Sequence, residues 1–364
     1  MIKRILFILI CLVLMAAVPL AAAGMITGSD IAAPEDSAEE HSGEPPTPIV
    51  NDNDDISSDC TNAPPDGNGN CSTVNDTGSP HDIRSDTFRI KDSATGRITE
   101  IPDREFCVGA LAYEMQPGFE TEALKAQTVA LYTFFCRKRR LAQSKGEDHD
   151  ITADLSAGQT YLSDVQLRKK WGNQYDTSIK KIKAAVKSVF GEIMADSSGE
   201  PIDACYHAIS PGATENAADV FGKADPHLVS AASPYDTAAP GYITTLTLEA
   251  GELRRRLSSA DSSISFSGDP SQYFGQTRRT GSGSVLRISI CGKEFTGQDI
   301  RKALGLRSAA FETEYQDGKF IFTVRGYGHG AGMSQWGAQI MAQQGSDYYE
   351  ILRRYYSNIR FIRI

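Results

Sequence analysis

The chain has 364 residues, a formal net charge of −9 and a mean hydropathy of −0.31. This length is sufficient for one large or two ordinary domains with a hydrophobic core. Only one apolar run approaches the length of a membrane span, which excludes a channel or a multi-pass transporter.

The N-terminal segment, residues 1–24, predicts export. Lys3 and Arg4 precede an uncharged run from Ile5 to Ala23, which is just long enough to cross a bilayer. The basic flank predicts that the start stays cytoplasmic and that the rest lies outside. A cleaved signal peptide is the alternative, because "AAAG" resembles a small-residue cleavage site. The length of the run favours an anchor, so we expect a single-pass cell-membrane protein whose folded part lies outside the cytoplasm.

The next segment, residues 25–85, has the composition of a spacer. Thirteen acidic residues lie between Asp30 and Asp82, and residues 5–83 contain no Lys or Arg. Such a segment cannot bury enough apolar surface to offset chain entropy, so we predict that it is disordered. Cys60 and Cys71 bracket a polar loop that could close as a disulfide in an oxidising compartment; the sequence leaves their pairing open.

From Asp86 onward the pattern is that of a folded domain. Two short strands are predicted around a turn at Thr95-Gly96. A short helix through "REFCVGALAYEM" ends before Pro117, and a long helix follows, with Thr121 as its expected N-cap. The basic cluster at residues 137–140 is interpreted as a solvated helix end that complements the helix dipole, or alternatively as a contact for an anionic polymer.

The second half of the folded part contains a smaller predicted region, about residues 244–323. Within it "VLRISICG", "DIRKALGL" and "KFIFTVRG" have the patterns of strand, helix and strand. A Gly-rich loop then opens a helix that Ser334 could cap, and a last helix closes the chain. We therefore predict an α/β (α+β) fold, a mixed helix–strand domain over residues 86–364 with a smaller inserted strand–helix–strand region.

One acidic residue stands out because of its apolar surroundings. Glu114 lies in "VGALAYEM", just before a Pro-Gly turn and the long helix. It is either a helix-end residue that faces water or a half-buried acid whose raised pKa allows proton transfer near neutral pH. The residues alone favour the first alternative, since perturbed acids are a minority.

Two polar loops are the other candidate sites. Residues 210–215, "SPGATE", offer hydroxyl and carboxyl groups that suit sugar recognition, and no G-x-S-x-G nucleophile motif is present. In "GYGHGAGM" alternating glycines allow positive φ and close backbone approach. This loop lacks the Lys and the glycine spacing of a nucleotide-binding loop. Its His329 either projects into a cleft or fixes the loop as a neutral hydrogen-bonding residue.

Three blocks of the sequence together carry a family resemblance. They are "YEMQPGFETEALKAQTVALYTF", "SPGATENAADVFGKADPHLVSAASPYD" and "GYGHGAGMSQWGAQIMAQQGSDYYEILRRYYS". In content and order they resemble the signature blocks of the stage II sporulation protein D family, extracytoplasmic peptidoglycan enzymes related to LytB-type amidase enhancers. The resemblance covers residues 86–364, and the N-terminal run and spacer match the layout of that family.

The resemblance implies a lytic transglycosylase that cuts the MurNAc–GlcNAc bond and leaves 1,6-anhydro-MurNAc ends during engulfment in sporulation. The catalytic acid of the family falls on Glu114. The residues expected to contact substrate are Ser210, Gly212, Thr214, Glu215, His329 and Gln335. Pro211-Gly212 stands where the family more often has Gly-Gly, so backbone contacts there are expected to differ.

The resemblance also implies partners. Glycan strands without stem peptides are the expected substrate, so a partner amidase such as stage II sporulation protein P is implied. The N-terminal segment is expected to bind the membrane. No nucleic-acid partner is expected. Some relatives carry zinc on His and paired Cys after the long helix. Here His149, Gln159 and Tyr161 are present without Cys between them, so we predict no metal and no other cofactor.

Two other functions stay open at this point. One is a non-catalytic glycan-binding or amidase-activating module in which Glu114 only forms hydrogen bonds. The other is a hydrolase that uses water and a second carboxylate, for which Glu215 or Asp219 would serve.

Overall fold

A computed structural model describes residues 86–364 of the protein. The predicted N-terminal anchor, the acidic spacer and the Cys60–Cys71 pair lie outside the described residues. Within residues 86–364, no helix combines the length and apolar character that a bilayer span requires.

The mixed α/β class predicted from the sequence is confirmed. The helices are α1 (Asp103–Glu114), α2 (Thr121–Ser144), α3 (Asp164–Trp171), α4 (Tyr175–Val189), α5 (Ala217–Phe221), α6 (Ala250–Ala260), α7 (Gly297–Leu304), α8 (Gln335–Gln343) and α9 (Tyr348–Tyr355). The strands are β1 (Thr87–Asp92), β2 (Ile98–Pro102), β3 (Ile151–Ala153), β4 (Glu192–Ala195), β5 (Tyr206–His207), β6 (Ile243–Glu249), β7 (Phe274–Arg279), β8 (Val285–Ile290), β9 (Lys293–Thr296), β10 (Phe311–Gln316), β11 (Lys319–Arg325), β12 (Met333–Ser334) and β13 (Arg360–Arg363).

Helix α2 is the centre of the larger hydrophobic core. It packs against α1, α4, α8, α9 and β4. The apolar side chains of α2 between Leu124 and Phe135 are buried. Helices α8 and α9 cover α2 with Ala338, Ile351 and Leu352, which are also buried. A helix that is apolar on most of its surface must be covered on most sides, which explains its central place.

Two details of α2 differ from the prediction. Thr121 is the first helical residue rather than the N-cap, and the residue before it, Glu120, donates its N–H to Gln339 Oε1 at 2.6 Å. The basic cluster is not a solvated helix end, because Arg139 is 1 % exposed and pairs with Asp103 across 2.5 Å. Contacts with distant residues account for both differences: Gln339 binds the backbone before α2, and Asp103 pairs with the buried Arg139.

Residues 243–325 carry a second hydrophobic core of their own. Strands β10, β11 and β6 form one antiparallel sheet and β7, β8 and β9 another, with α6 and α7 beside them. The predicted strand, helix and strand correspond to β8, α7 and β11. The additional strands were missed because several are short or largely exposed and carry a weak apolar pattern.

Candidate functional site

Helix α1 places Glu114 at its last position. The chain becomes extended at Met115, whose N–H still donates to Leu111 O at 2.9 Å, and Met115 is buried. Glu114 itself is half-buried. At the other end of α1, the Asp103–Arg139 ion pair fixes the helix to α2. The carboxyl group of Glu114 is therefore carried by an element that is held at both ends.

The two polar loops predicted from the sequence lie side by side. Strand β5 pairs in parallel with β12, with Tyr206 opposite Met333 and His207 opposite Ser334. A further bridge joins Glu215 to Ala331. The "SPGATE" and "GYGHGAGMSQ" segments thus form one layer, although more than a hundred residues separate them in the sequence.

The alternating glycines make this close pairing possible, as the sequence predicted. Gly326, Gly328, Gly330 and Gly332 all have positive φ. A Cβ at Gly332 would lie 1.9 Å from Cys205 O, and one at Gly330 would lie 2.9 Å from Glu215 Cγ. Only glycine satisfies both the backbone angles and the space available at these positions.

The carboxyl group of Glu114 meets this layer. The Tyr206 hydroxyl donates to Glu114 Oε1 at 3.1 Å. Gln335 Nε2 lies 3.5 Å from Glu114 Oε2 and 3.5 Å from Gln127 Oε1, so it connects α1 to α2. Two of the three family-like blocks therefore meet at one place, with Glu114 from the first and Gln335 from the third, and strand β5, which lies just before the second block, contributes Tyr206.

Two ionisable neighbours of Glu114 have perturbed pKa values. Burial, together with the charge of Glu114, raises the pKa of Tyr206 well above its ordinary value. The Tyr206 phenol therefore keeps its proton and remains a hydrogen-bond donor. Burial lowers the pKa of Lys170, an effect that the Glu114 charge opposes, and its Nζ donates to Ala112 O at 2.9 Å. Lys170 thus brings a positive group close to the end of α1.

The loop layer holds two buried histidines in defined tautomers. Ala331 N–H donates to His329 Nδ1 at 3.0 Å, so Nδ1 of that ring carries no proton. His207 Nδ1 lies 3.1 Å from Ala331 O, so it is the donor there. Burial lowers the pKa of His207 to about 4 and holds that of His329 well below its ordinary value. Both rings are neutral. Between them they hold the backbone N–H and C=O groups of Ala331.

The other predicted substrate residues are mostly buried. Ser210 Oγ accepts from Gly212 N at 3.2 Å, and Thr214 Oγ1 accepts from Ala231 N at 2.9 Å. Glu215 is 1 % exposed, and Thr280 Oγ1 donates to its Oε1 at 3.2 Å. These contacts shape the loop layer, and a direct substrate contact by these residues stays a prediction. Gly212 is half-buried and carries positive φ.

A buried carboxylate beneath the layer was missed by sequence reasoning. Asp236 is 0 % exposed and its Oδ2 accepts from Ser210 N at 2.8 Å. Burial raises its pKa to about 6, against the opposing hydrogen bonds from Ser210, Ser334 and Ser233. It lies in "SPYD", where no local pattern distinguishes it from a turn aspartate. Asp236 therefore supports the loop and the start of α8.

The region around His149, where the family resemblance raised the question of a zinc site, is held by local hydrogen bonds. His149 Nδ1 lies 2.7 Å from Asp148 Oδ1, and its Nε2 lies 2.9 Å from Thr152 Oγ1. Across residues 86–364, no group of three or more His, Cys, Asp or Glu side chains is arranged to hold a metal. The absence of a metal stays a prediction.

Comparison with known proteins identifies the family. A family profile for stage II sporulation proteins matches residues 91–195. Stage II sporulation protein D of Bacillus amyloliquefaciens is 38% identical over 264 residues, which cover 72% of this chain and 74% of that protein. The chain belongs to the stage II sporulation protein D family. The protein of that name from Bacillus subtilis (strain 168) is 37% identical over 269 residues, covering 72% of this chain and 75% of the relative.

The chain is also similar to a protein of a different name. The amidase enhancer of Bacillus subtilis (strain 168) is 25% identical over 305 residues, covering 68% of this chain and 39% of that protein. The resemblance inferred from the sequence is thus confirmed for the sporulation protein D family. The 91–195 match includes Glu114, α2 and the strand β4 that packs on α2.

Proposed function

We propose that this sporulation protein is a lytic transglycosylase that cleaves MurNAc–GlcNAc bonds of peptidoglycan, with Glu114 as its acid and base. The observation that carries the proposal is the setting of Glu114. One half-buried carboxyl group lies where the first block, the third block and strand β5 meet, and Tyr206 and Gln335 lie next to its two oxygens. A residue in this position can exchange a proton with a sugar that reaches the exposed part of the carboxyl group.

The proposed reaction requires only one carboxyl group. Glu114 donates its proton to the glycosidic oxygen as the bond from that oxygen to C1 of MurNAc breaks. The C6 hydroxyl of the same MurNAc then attacks C1 and forms the 1,6-anhydro bond. Its proton passes to the Glu114 carboxylate, which restores the acid. No water is consumed, and a second carboxylate of the kind that a glycoside hydrolase uses is not needed.

The position of Glu114 suits both halves of this cycle. At the C-terminus of α1 the negative end of the helix dipole favours the protonated form. The Tyr206 hydroxyl and the nearby Lys170 charge favour the carboxylate that remains after proton transfer. Neighbouring groups that interact with each form suit a residue that first gives and then takes a proton.

The proposed function also includes a role in the cell. The similarity to proteins named stage II sporulation protein D supports a role in engulfment during sporulation, on strands from which stem peptides have been removed. An amidase such as stage II sporulation protein P would prepare those strands. The uncharged run at residues 5–23 supports an anchor that places the catalytic domain outside the cell membrane.

The test is product analysis. The full-length protein is incubated with peptide-free glycan strands, and the ends are identified by mass spectrometry. We expect anhydro ends from the wild type and none from Glu114→Gln, which keeps the shape of the side chain. Glu105→Gln is the matched control, since Glu105 is an exposed glutamate on the same helix. Reducing ends would instead identify a water-using hydrolase and direct attention to Glu215.

A non-catalytic role is the second candidate, and the similarity to the amidase enhancer favours it. In that case the protein would bind glycan or stimulate an amidase. Retained glycan binding without any cleavage by the wild type, together with faster release of stem peptides by an added amidase, would select this function over the transglycosylase.

A further inference from the structure

The Tyr206 hydroxyl is held against Glu114 by its own burial. The side chain is 6 % exposed, and its hydroxyl donates to Glu114 Oε1 at 3.1 Å. In such a site the phenol stays protonated, so it can act only as a donor toward the carboxylate. No local pattern in the sequence marks Tyr206 as a partner of Glu114.

The backbone of Tyr206 is fixed from both directions. On one side β12 pairs with β5 and places Met333 opposite Tyr206. On the other side the buried Tyr356 hydroxyl donates to Cys205 O at 2.7 Å. Gly332 lies so close to Cys205 O that no Cβ fits between them. The position of the Tyr206 hydroxyl is therefore set by the loop layer rather than by a free side-chain rotation.

We infer that Tyr206 is a positioning residue for the carboxyl group of Glu114, an inference that rests on the proposed function. By holding Oε1, the phenol fixes the rotation of the carboxyl group about its last bond. It also stabilises the carboxylate that forms when the proton leaves, because a hydrogen bond to a charged acceptor is stronger than one to a neutral acceptor. Tyr206 makes the proton transfer faster without itself contacting the bond that breaks.

Charged and titratable groups from three directions face this pair. Lys170 on α3 interacts with the charge of Glu114, and Tyr113 and Tyr356 interact with the Tyr206 phenol. None of these three is altered by removal of the Tyr206 hydroxyl. A change in the pH dependence of the reaction after that removal therefore reports on the bond between Tyr206 and Glu114.

The test compares kcat, KM and the pH–rate profile of Tyr206→Phe with those of the wild type. The phenyl ring keeps the packing, and only the hydroxyl is lost. We expect kcat to fall about tenfold or more, as for loss of a hydrogen bond to a charged group. We expect little change in KM. The alkaline limb of the profile should move to higher pH, because the carboxylate has lost a donor.

Tyr161→Phe is the matched control. The Tyr161 hydroxyl donates to Glu105 Oε1 at 3.2 Å, so it too is a largely buried tyrosine bound to a glutamate of α1, but away from Glu114. This variant should retain the wild-type kcat and profile. If Tyr206→Phe only lowered the fraction of folded protein, the rate would fall by the same factor at every pH. The alkaline limb of the pH–rate profile would then stay at the same pH.

The outcomes separate the inference from the function on which it rests. If the wild type makes anhydro ends and Tyr206→Phe matches its kcat and alkaline limb, the positioning role is wrong and the transglycosylase stands. If the wild type makes no anhydro ends, the proposed function fails and the inference fails with it. A lower kcat with a displaced limb, seen in Tyr206→Phe and not in Tyr161→Phe, is the expected result.

Discussion

Replacement of Asp103 by asparagine tests whether the ion pair under α1 is essential to the fold that holds Glu114. Asp103 Oδ1 lies 2.5 Å from Arg139 Nη2, and its Oδ2 lies 3.0 Å from Arg139 Nη1. Asp103 and Arg139 are 4 % and 1 % exposed. Asparagine keeps the shape and removes the charge, so Arg139 would be left as a buried cation with weaker compensation.

The expected loss of unfolding free energy in Asp103→Asn depends on the contacts that Arg139 keeps. Breaking a buried pair from one side costs about 3–5 kcal/mol. Asp150 Oδ2 still lies 3.5 Å from Arg139 Nε, and Arg139 Nη2 still donates to Thr87 O at 3.1 Å. We therefore expect the lower end, about 3 kcal/mol of unfolding free energy. For a domain of this size that corresponds to a fall in Tm of roughly 6–12 °C.

Urea unfolding followed by circular dichroism measures this quantity. The control is Lys319→Gln, which breaks an ion pair with Glu249 at 3.0 Å between side chains that are 49% and 66% exposed. That variant should lose less than about 1 kcal/mol. A loss below 1 kcal/mol in Asp103→Asn would refute the reasoning. A double replacement by apolar residues, Asp103→Leu with Arg139→Met, should recover part of the loss, because no buried charge remains.

Three further predictions concern the loop layer. The folded pKa of His207 is about 4, below its value of 6.5 when unfolded, so its contribution to stability is present above pH 6.5 and is lost as the pH falls toward 4. The unfolding free energy of the wild type minus that of His207→Gln should fall by about 3 kcal/mol over that range in urea titrations; a flat difference would mean that the ring is not buried and neutral. Gly332→Ala should lower Tm more than Gly345→Ala, since both have positive φ but only the first meets a backbone oxygen; equal melting points would contradict this. Gln335→Ala should reduce kcat by about tenfold with anhydro products unchanged in kind, and a rise in KM alone would instead identify Gln335 as a substrate contact.

The helices were largely predictable because their signals are local. Ser334 caps α8 by accepting from Gly337 N, as its place after a Gly-rich loop predicted. The last helix, which the sequence predicted, buries Ile351, Leu352 and Tyr355 and leaves Tyr348 partly buried. Such features depend on residues three or four positions apart, and a single sequence displays them directly.

The partners within the site were less predictable because they are set by tertiary contacts. Glu114 and the two loops were identified, and the structure brings them together through Tyr206 and Gln335. The burial of Arg139 was missed because an arginine in a basic cluster carries no sign of its distant aspartate partner. Lys170 was missed for the same reason, since its contact with Ala112 O joins residues 58 positions apart.

The separation of the contacting residues along the chain has a consequence for the order of events during synthesis. Tyr206 and Gln335, which contact the Glu114 carboxyl group, follow Glu114 by 92 and 221 residues in the sequence. A ribosome delivers residues at about 5–20 per second, N-terminus first. Helix α1 with its acid therefore emerges well before the groups that orient it. A growing or C-terminally shortened chain therefore carries Glu114 without Tyr206 or Gln335, and the arrangement around its carboxyl group is complete only when nearly the whole domain has been made.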